Sequence, residues 1–136
     1  MNIREFAQHT GLSAHTLRYY EKIGLIGGVA RDANGHRVYG PHDAKWVDFL
    51  TRLRDTGMPL SDMLRYGALR SDGDATIKQR LELLELHTEQ LAARLRLQHE
   101  HLARLREQVG VYRAQMTGKP FTPAAPLRAS DPAHRR

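Results

Sequence analysis

The 136-residue chain contains no cysteine. That excludes disulfides, thiolate metal sites and thiol redox chemistry together, and it fits a reducing compartment. Long hydrophobic runs are missing too. No stretch approaches the ~20 apolar residues of a membrane span, and the opening MNIREFAQH is no signal peptide. A soluble, cytoplasmic protein is the expectation. HExxH, GxSxG and Gly-rich phosphate loops are absent, and Asp43 and Asp48 are paired in spacing only. Neither catalysis nor a cofactor is expected. Positive charge is also scarce where it would count. The net charge of +6 suits a polyanionic partner, yet residues 1–75 hold 10 Lys/Arg against 9 Asp/Glu, and half of the excess lies in residues 117–136. Any case for nucleic acid therefore rests on local arrangement.

That arrangement begins at Phe6. Phe6 and Ala7 close the apolar face of a short helix, and Thr10-Gly11 breaks it. Ser13 is a good N-cap for a second helix, SAHTLRYYEKIG, which stops at Gly24. Leu12 and Leu17 are placed to pack together across that cap. Two helices joined by so short a turn make a helix-turn-helix, whose second helix fits the major groove of DNA. The second helix has the side chains for it. His15, Thr16, Arg18 and Lys22 are donors or donor-acceptors, and of Tyr19 and Tyr20 one packs inward while the other reaches a phosphate oxygen. In ARDANGHRVYG, Asn34-Gly35 predicts a two-residue type I′ hairpin between short strands. Arg31, His36 and Arg37 would make it a basic wing. Ser13, His15, Thr16, Arg18, Tyr19, Lys22, Arg37 and Tyr39 form the candidate DNA-contact set. The bland alternative is a winged helix used for protein contacts, with the tyrosines serving only as core.

An N-terminal helix-turn-helix, then LRYYEKIGLI, then a hairpin ending GHRVYG before an Asp-containing helix, resembles the MerR family of bacterial transcription regulators, over Met1 to about Met116. The resemblance implies a dimer on a palindromic operator inside an overlong promoter spacer. Such regulators distort DNA so that RNA polymerase aligns both promoter elements, an indirect partnership. In metal-sensing relatives the ligands are cysteines near the two ends of the long helix. Here Thr76 to Lys78 and Val111 to Gly118 offer no thiol. Thiol- and aldehyde-responsive relatives carry a cysteine in the third helix, where DFLTRLRDTGM places Arg52, so sensing by that route is excluded and the effector is unknown.

Downstream, Pro41 fits the first turn of a third helix with Asp43 near its positive end. Trp46, Phe49, Leu50 and Leu53 follow helical spacing. Pro59 opens a fourth helix, with Ser61 or Asp62 as cap and Met63, Leu64 and Leu69 as apolar members. Ser71-Asp72-Gly73-Asp74 reads as a loop ending the head. Trp46, Tyr66 and Leu69 are a possible effector pocket, or ordinary core.

From Lys78 to Met116 the apolar residues follow a heptad: Leu81, Leu84, Thr88, Leu91, Leu95, Gln98, Leu102, Leu105, Val109, Tyr112 and Met116. Over five heptads this argues for a coiled coil. A stripe roughly 58 Å long at ~1.5 Å per residue is too long for one small head to cover, so a homodimer is expected. With i + j near 197 the helices pair antiparallel, Gln98 meets itself, and Glu85 faces Arg113. His87, His99 and His101 lack the i, i+4 spacing of a shared metal site and read as solvated flank positions. The predicted fold class is all-α with a small β-hairpin wing: a winged helix-turn-helix head over 1–75, a long dimerisation helix over 76–116 and a disordered tail over 117–136. The function so read is a MerR-type regulator. Its alternative is a binding module of other purpose, an architectural DNA binder or a small-molecule-sequestering protein.

Overall fold

Among the described residues, five α-helices and one hairpin follow in the order α1 (Ile3–Thr10), α2 (Ala14–Lys22), β1 (Ala30–Arg31), β2 (Arg37–Val38), α3 (Pro41–Asp55), α4 (Leu60–Ser71), a 3-10 turn (Asp74–Thr76) and α5 (Ile77–Thr117). This computed structural model describes residues 1–118, so the expected disordered tail lies, from Lys119 onward, outside the described residues. No helix among them is long and apolar enough to cross a membrane.

Local chemistry sets the helix ends. Asn2 caps α1 by accepting from the Glu5 N–H at 2.8 Å, and the Glu5 carboxylate accepts from the Asn2 N–H at 3.0 Å. Ser13 caps α2 through the Thr16 N–H. Gly24, at φ +84, turns the chain out of α2 in a conformation an L side chain resists. Asp43 accepts from the Gly40 N–H at 2.9 Å and so closes the start of α3. The cap predicted for α4 differs. Its N-cap is Pro59 with no side-chain hydrogen bond, and Ser61 and Asp62 already lie in the first turn.

Phe6, Leu17, Val47 and Leu50 are almost wholly buried and form the centre of the head with Leu12, Tyr20, Leu25, Ile26, Tyr39, Trp46, Leu53, Met58, Met63 and Tyr66. The Tyr39 ring lies flat on Phe6, centroids 4.3 Å apart. Trp46 donates its indole N–H to the Leu25 carbonyl at 2.9 Å and stacks on Phe49 and Tyr66, with the Arg70 guanidinium 4.2 Å above its ring. Trp46 and Tyr66 are thus core residues packed against each other, and Leu69 is half-buried on α4.

The first compact unit runs Met1–His87, past the boundary near residue 75 that the Ser71–Asp74 loop suggested. Side chains explain the extension. Thr76 donates to the Leu69 and Gly73 carbonyls, Arg80 donates to Gly73 at 3.1 Å, and Leu83 and Leu84 pack on the core. His87 is buried, not solvated, with its Nε2 2.7 Å from the Thr56 hydroxyl at the end of α3. Leu84, placed in the coiled-coil seam by its heptad position, is therefore partly claimed by its own head. The second unit begins at Thr88 and is helical to Thr117. There Leu95, Leu102, Leu105, Val109 and Tyr112 remain exposed, while Leu91 is half-buried.

Removing the ring at the centre of the head should be severe. Phe6→Ala is expected to cost about 3–5 kcal/mol of stability, much of what a small domain has. Urea unfolding followed by circular dichroism checks this; a loss below 1 kcal/mol would show that the site collapses and that Phe6 is not central.

Candidate nucleic-acid interface

The two faces of α2 divide by polarity. Leu17 and Tyr20 are buried in the core, whereas His15, Arg18 and Lys22 are exposed and Tyr19 keeps 45% of its surface accessible. Positions 15, 18 and 22 recur at three- and four-residue spacing and so share one helix face. The tyrosine pair therefore splits, Tyr20 inward and Tyr19 outward. Ser13 and Thr16 are occupied locally, the Ser13 hydroxyl donating to Thr16 Oγ1 at 3.0 Å while it accepts the Thr16 N–H.

Beside α2 stands the hairpin, its strands paired antiparallel with Ala30 opposite Val38 and Arg31 opposite Arg37. Its turn is not the predicted type I′. That turn needs positive φ at both Asn34 and Gly35, and among the described residues only glycines have positive φ. Instead Asp32 N–H donates to the His36 carbonyl at 2.9 Å and Gly35 N–H to the Asp32 carbonyl at 3.0 Å. The loop is three residues long, with Gly35 at φ +80. Asp32 organises it, since its carboxylate accepts from the Asn34 and His36 N–H groups at 2.9 and 3.0 Å. The readable signal was aspartate two residues before asparagine, which competes with Asn-Gly.

Arg31 donates to the Gly35 carbonyl at 2.8 Å. A groove of about 590 Å³ separates wing from helices, lined by Arg18, Arg31, His36 and Arg37 together with Glu5 and Asn2. Arg18, Arg31 and Arg37 outnumber the Glu5 and Asp32 carboxylates in its lining, and through Arg18 it adjoins the exposed face of α2, a surface that fits a phosphate backbone. Arg37 is different from the other cations. It forms an ion pair with Glu21 of α2, a residue the sequence reading did not single out. Tyr39, placed among the DNA contacts, is 2% exposed, and its hydroxyl is buried without a hydrogen-bond partner. It belongs to the core, because stacking on Phe6 points the ring inward. Burial, then the nearby Glu21 charge, raises its pKa above the ordinary tyrosine value. Among the described residues, no group of three or more His, Asp or Glu side chains is placed to hold a metal ion, and His99 and His101 are exposed.

Residues 1–66 match the family described as MerR HTH family regulatory protein. The chain is 40% identical over 84 residues to the HTH-type transcriptional regulator AdhR of Bacillus subtilis, covering 62% of this chain and 60% of AdhR. The match to this relative thus spans less than two thirds of its length. A second Bacillus subtilis regulator, YyaN, is 31% identical over 123 residues, with 82% of this chain and 89% of that protein covered. Among solved structures, a MerR family transcriptional regulator from Listeria monocytogenes superposes with a TM-score of 0.81 at 34% identity, covering 87% of this chain and 89% of that one. HiNmlR, described as a MerR family regulator lacking the sensor domain, bound to promoter DNA, superposes with a TM-score of 0.76 at 31% identity, covering 93% and 96%.

Tyr39→Phe separates core from contact. Because the raised pKa means that the folded state holds the phenolic proton more tightly, this stabilising contribution is present below pH 10 and lost above it. The variant should lose that alkaline dependence, keep its affinity for duplex DNA and equal or exceed wild-type stability, since a buried unpaired hydroxyl costs about 1–3 kcal/mol. A clear fall in DNA affinity would place the hydroxyl on the nucleic acid.

Proposed function

Because this chain belongs to the MerR family of helix-turn-helix regulatory proteins, we propose that it binds promoter DNA as a homodimer, with α2 in the major groove and the wing along the adjacent backbone. The observation that carries the reading is the cationic face of α2, with His15, Arg18, Tyr19 and Lys22 exposed beside the Arg31 groove of the wing. HiNmlR, which superposes over nearly its whole length, is bound to promoter DNA, and that supports the same placement here. A sequestering or architectural role is less favoured, since the named relatives are transcriptional regulators. In this proposal Arg18 and Tyr19 hold phosphates, while His15 and Lys22 lie nearest the base edges. RNA polymerase is reached only through the shape of the promoter, and the effector is not assigned.

The proposed dimerisation is supported by the second unit. Leu95, Leu102, Leu105, Val109 and Tyr112 expose between 40% and 58% of their surfaces along one stripe. So much aligned apolar surface favours a second copy as its cover. The antiparallel register centred on Gln98 sets Leu91 against Leu105 and Leu95 against Leu102, while Leu84 stays partly packed on its own head. It also sets the two heads at opposite ends, matching half-sites spaced by ~34 Å or a multiple.

Two experiments test these assignments. Arg18→Ala should weaken binding to any duplex and reduce the slope of log affinity against log salt by about one unit. Unchanged affinity and slope would remove Arg18 from the interface. Since the chain has no native cysteine, Gln98→Cys should form a disulfide dimer readily while Leu84→Cys should not, its two copies lying roughly 40 Å apart at ~1.5 Å per residue. Efficient crosslinking at both positions would mean parallel helices; a crosslink moved to Leu95 or Leu102 would keep the orientation and change the register.

A further inference from the structure

Glu21 is the one acidic residue of α2, the helix whose other polar positions supply cations and hydroxyls. A carboxylate there repels phosphates unless its charge is engaged elsewhere. It is engaged: the side chain is only 20% exposed, and it pairs with Arg37 of β2, itself 35% exposed. The facing atoms, Glu21 Oε2 and Arg37 Nε, are both shielded from solvent. Close by, the Tyr39 hydroxyl is buried and feels the Glu21 charge. The pair therefore sits against a dry floor, where charges are weakly screened and removal of one partner strands the other.

The wing has few other supports. Its strands are two residues long, and residues 30–36 are all exposed. Beyond the hairpin's own bonds, it is tied down by the Tyr39 ring on Phe6, by backbone hydrogen bonds in both directions between Tyr39 and Met1 at 2.7 and 2.8 Å, and by the Glu21–Arg37 pair. The ring anchors the base of β2. The ion pair joins β2 to the recognition helix, and its Arg37 lines the groove together with Arg18 and Arg31.

We infer that Glu21 is a positioning residue: it holds the Arg37 guanidinium within the protein to set the pitch of the wing relative to α2, so that discrimination between DNA sequences depends on a carboxylate that touches no nucleotide. This rests on the DNA-binding reading above. Arg37 is then a brace for the wing, and Arg18 and Arg31 are left to the backbone.

Glu21→Gln removes the charge while keeping the shape, and Arg37→Gln and the double variant complete a cycle. Two readouts apply to the full-length protein. The first, without DNA, is amide hydrogen exchange across residues 31–38. The second is affinity, over a range of salt, for a duplex selected from a randomised library by the wild-type protein and for an unrelated duplex. Glu21→Gln should speed exchange in the wing and lower the ratio of selected to unrelated affinity about tenfold, Arg37→Gln should do the same, and the double variant should lose no more than either. Tighter binding of both duplexes by Glu21→Gln, with wing exchange unchanged, would make Glu21 a mere repulsive charge and overturn the inference. Additive losses would overturn it too, by placing Arg37 on DNA independently. If selection by the wild type yields no preferred duplex, the DNA-binding reading fails instead, and wing exchange still decides whether Glu21 braces the hairpin.

Discussion

The stacking of Tyr39 on Phe6, rings 4.3 Å apart and nearly parallel, holds together parts that would not be stable alone. Helices α1 and α2 have eight and nine residues, below the ~12–15 at which an isolated helix becomes even marginal in water. Their order comes from burying Phe6, Leu17 and Tyr20 against Val47 and Leu50 of α3. A two-stranded hairpin is no more self-sufficient. By inserting Tyr39 into the same core, the chain makes the wing part of the head. The recognition surface is therefore a by-product of one apolar cluster: whatever is not needed by the core on α2 is left to face outward.

The long helix poses the opposite problem. Its first three turns are held by the head through Thr76, Arg80, Leu83, Leu84 and the His87–Thr56 contact. From Thr88 onward the described chain supplies no such cover for Leu95, Leu102, Leu105 or Val109. Helix propensity cannot account for so long an element with an uncovered apolar stripe, and it is this stripe that the proposed second copy would cover. His87 marks the junction between these regimes, for it is the last residue of the first compact unit.

Most elements were legible from the residues because their signals are local. Ser13 before an apolar-periodic stretch, Gly24 after it, Pro41 at a helix start and the heptads after Lys78 each state a boundary or a face without reference to distant parts. The hairpin was legible in position but not in turn type, since the Asp32 carboxylate binds two backbone N–H groups and outweighs the Asn-Gly preference. The missed capping box at Asn2 and Glu5 carries a sequence signature that could have been read.

What the sequence by itself determined is the order of elements, the amphipathic division of α2 and the apolar heptad stripe of the long helix. These depend on periodicity and on residues at most a few positions apart. Only the tertiary structure decided that Tyr39 is core, that Arg37 is engaged by Glu21, that Trp46 and Tyr66 fill space against each other and that His87 is buried on Thr56. In each case the deciding neighbour is distant in sequence: 33 residues for Phe6 and Tyr39, 16 for Glu21 and Arg37, 20 for Trp46 and Tyr66, 31 for Thr56 and His87. A side chain's type limits which contacts it can make, but which of them it does make depends on what the packed core brings within reach.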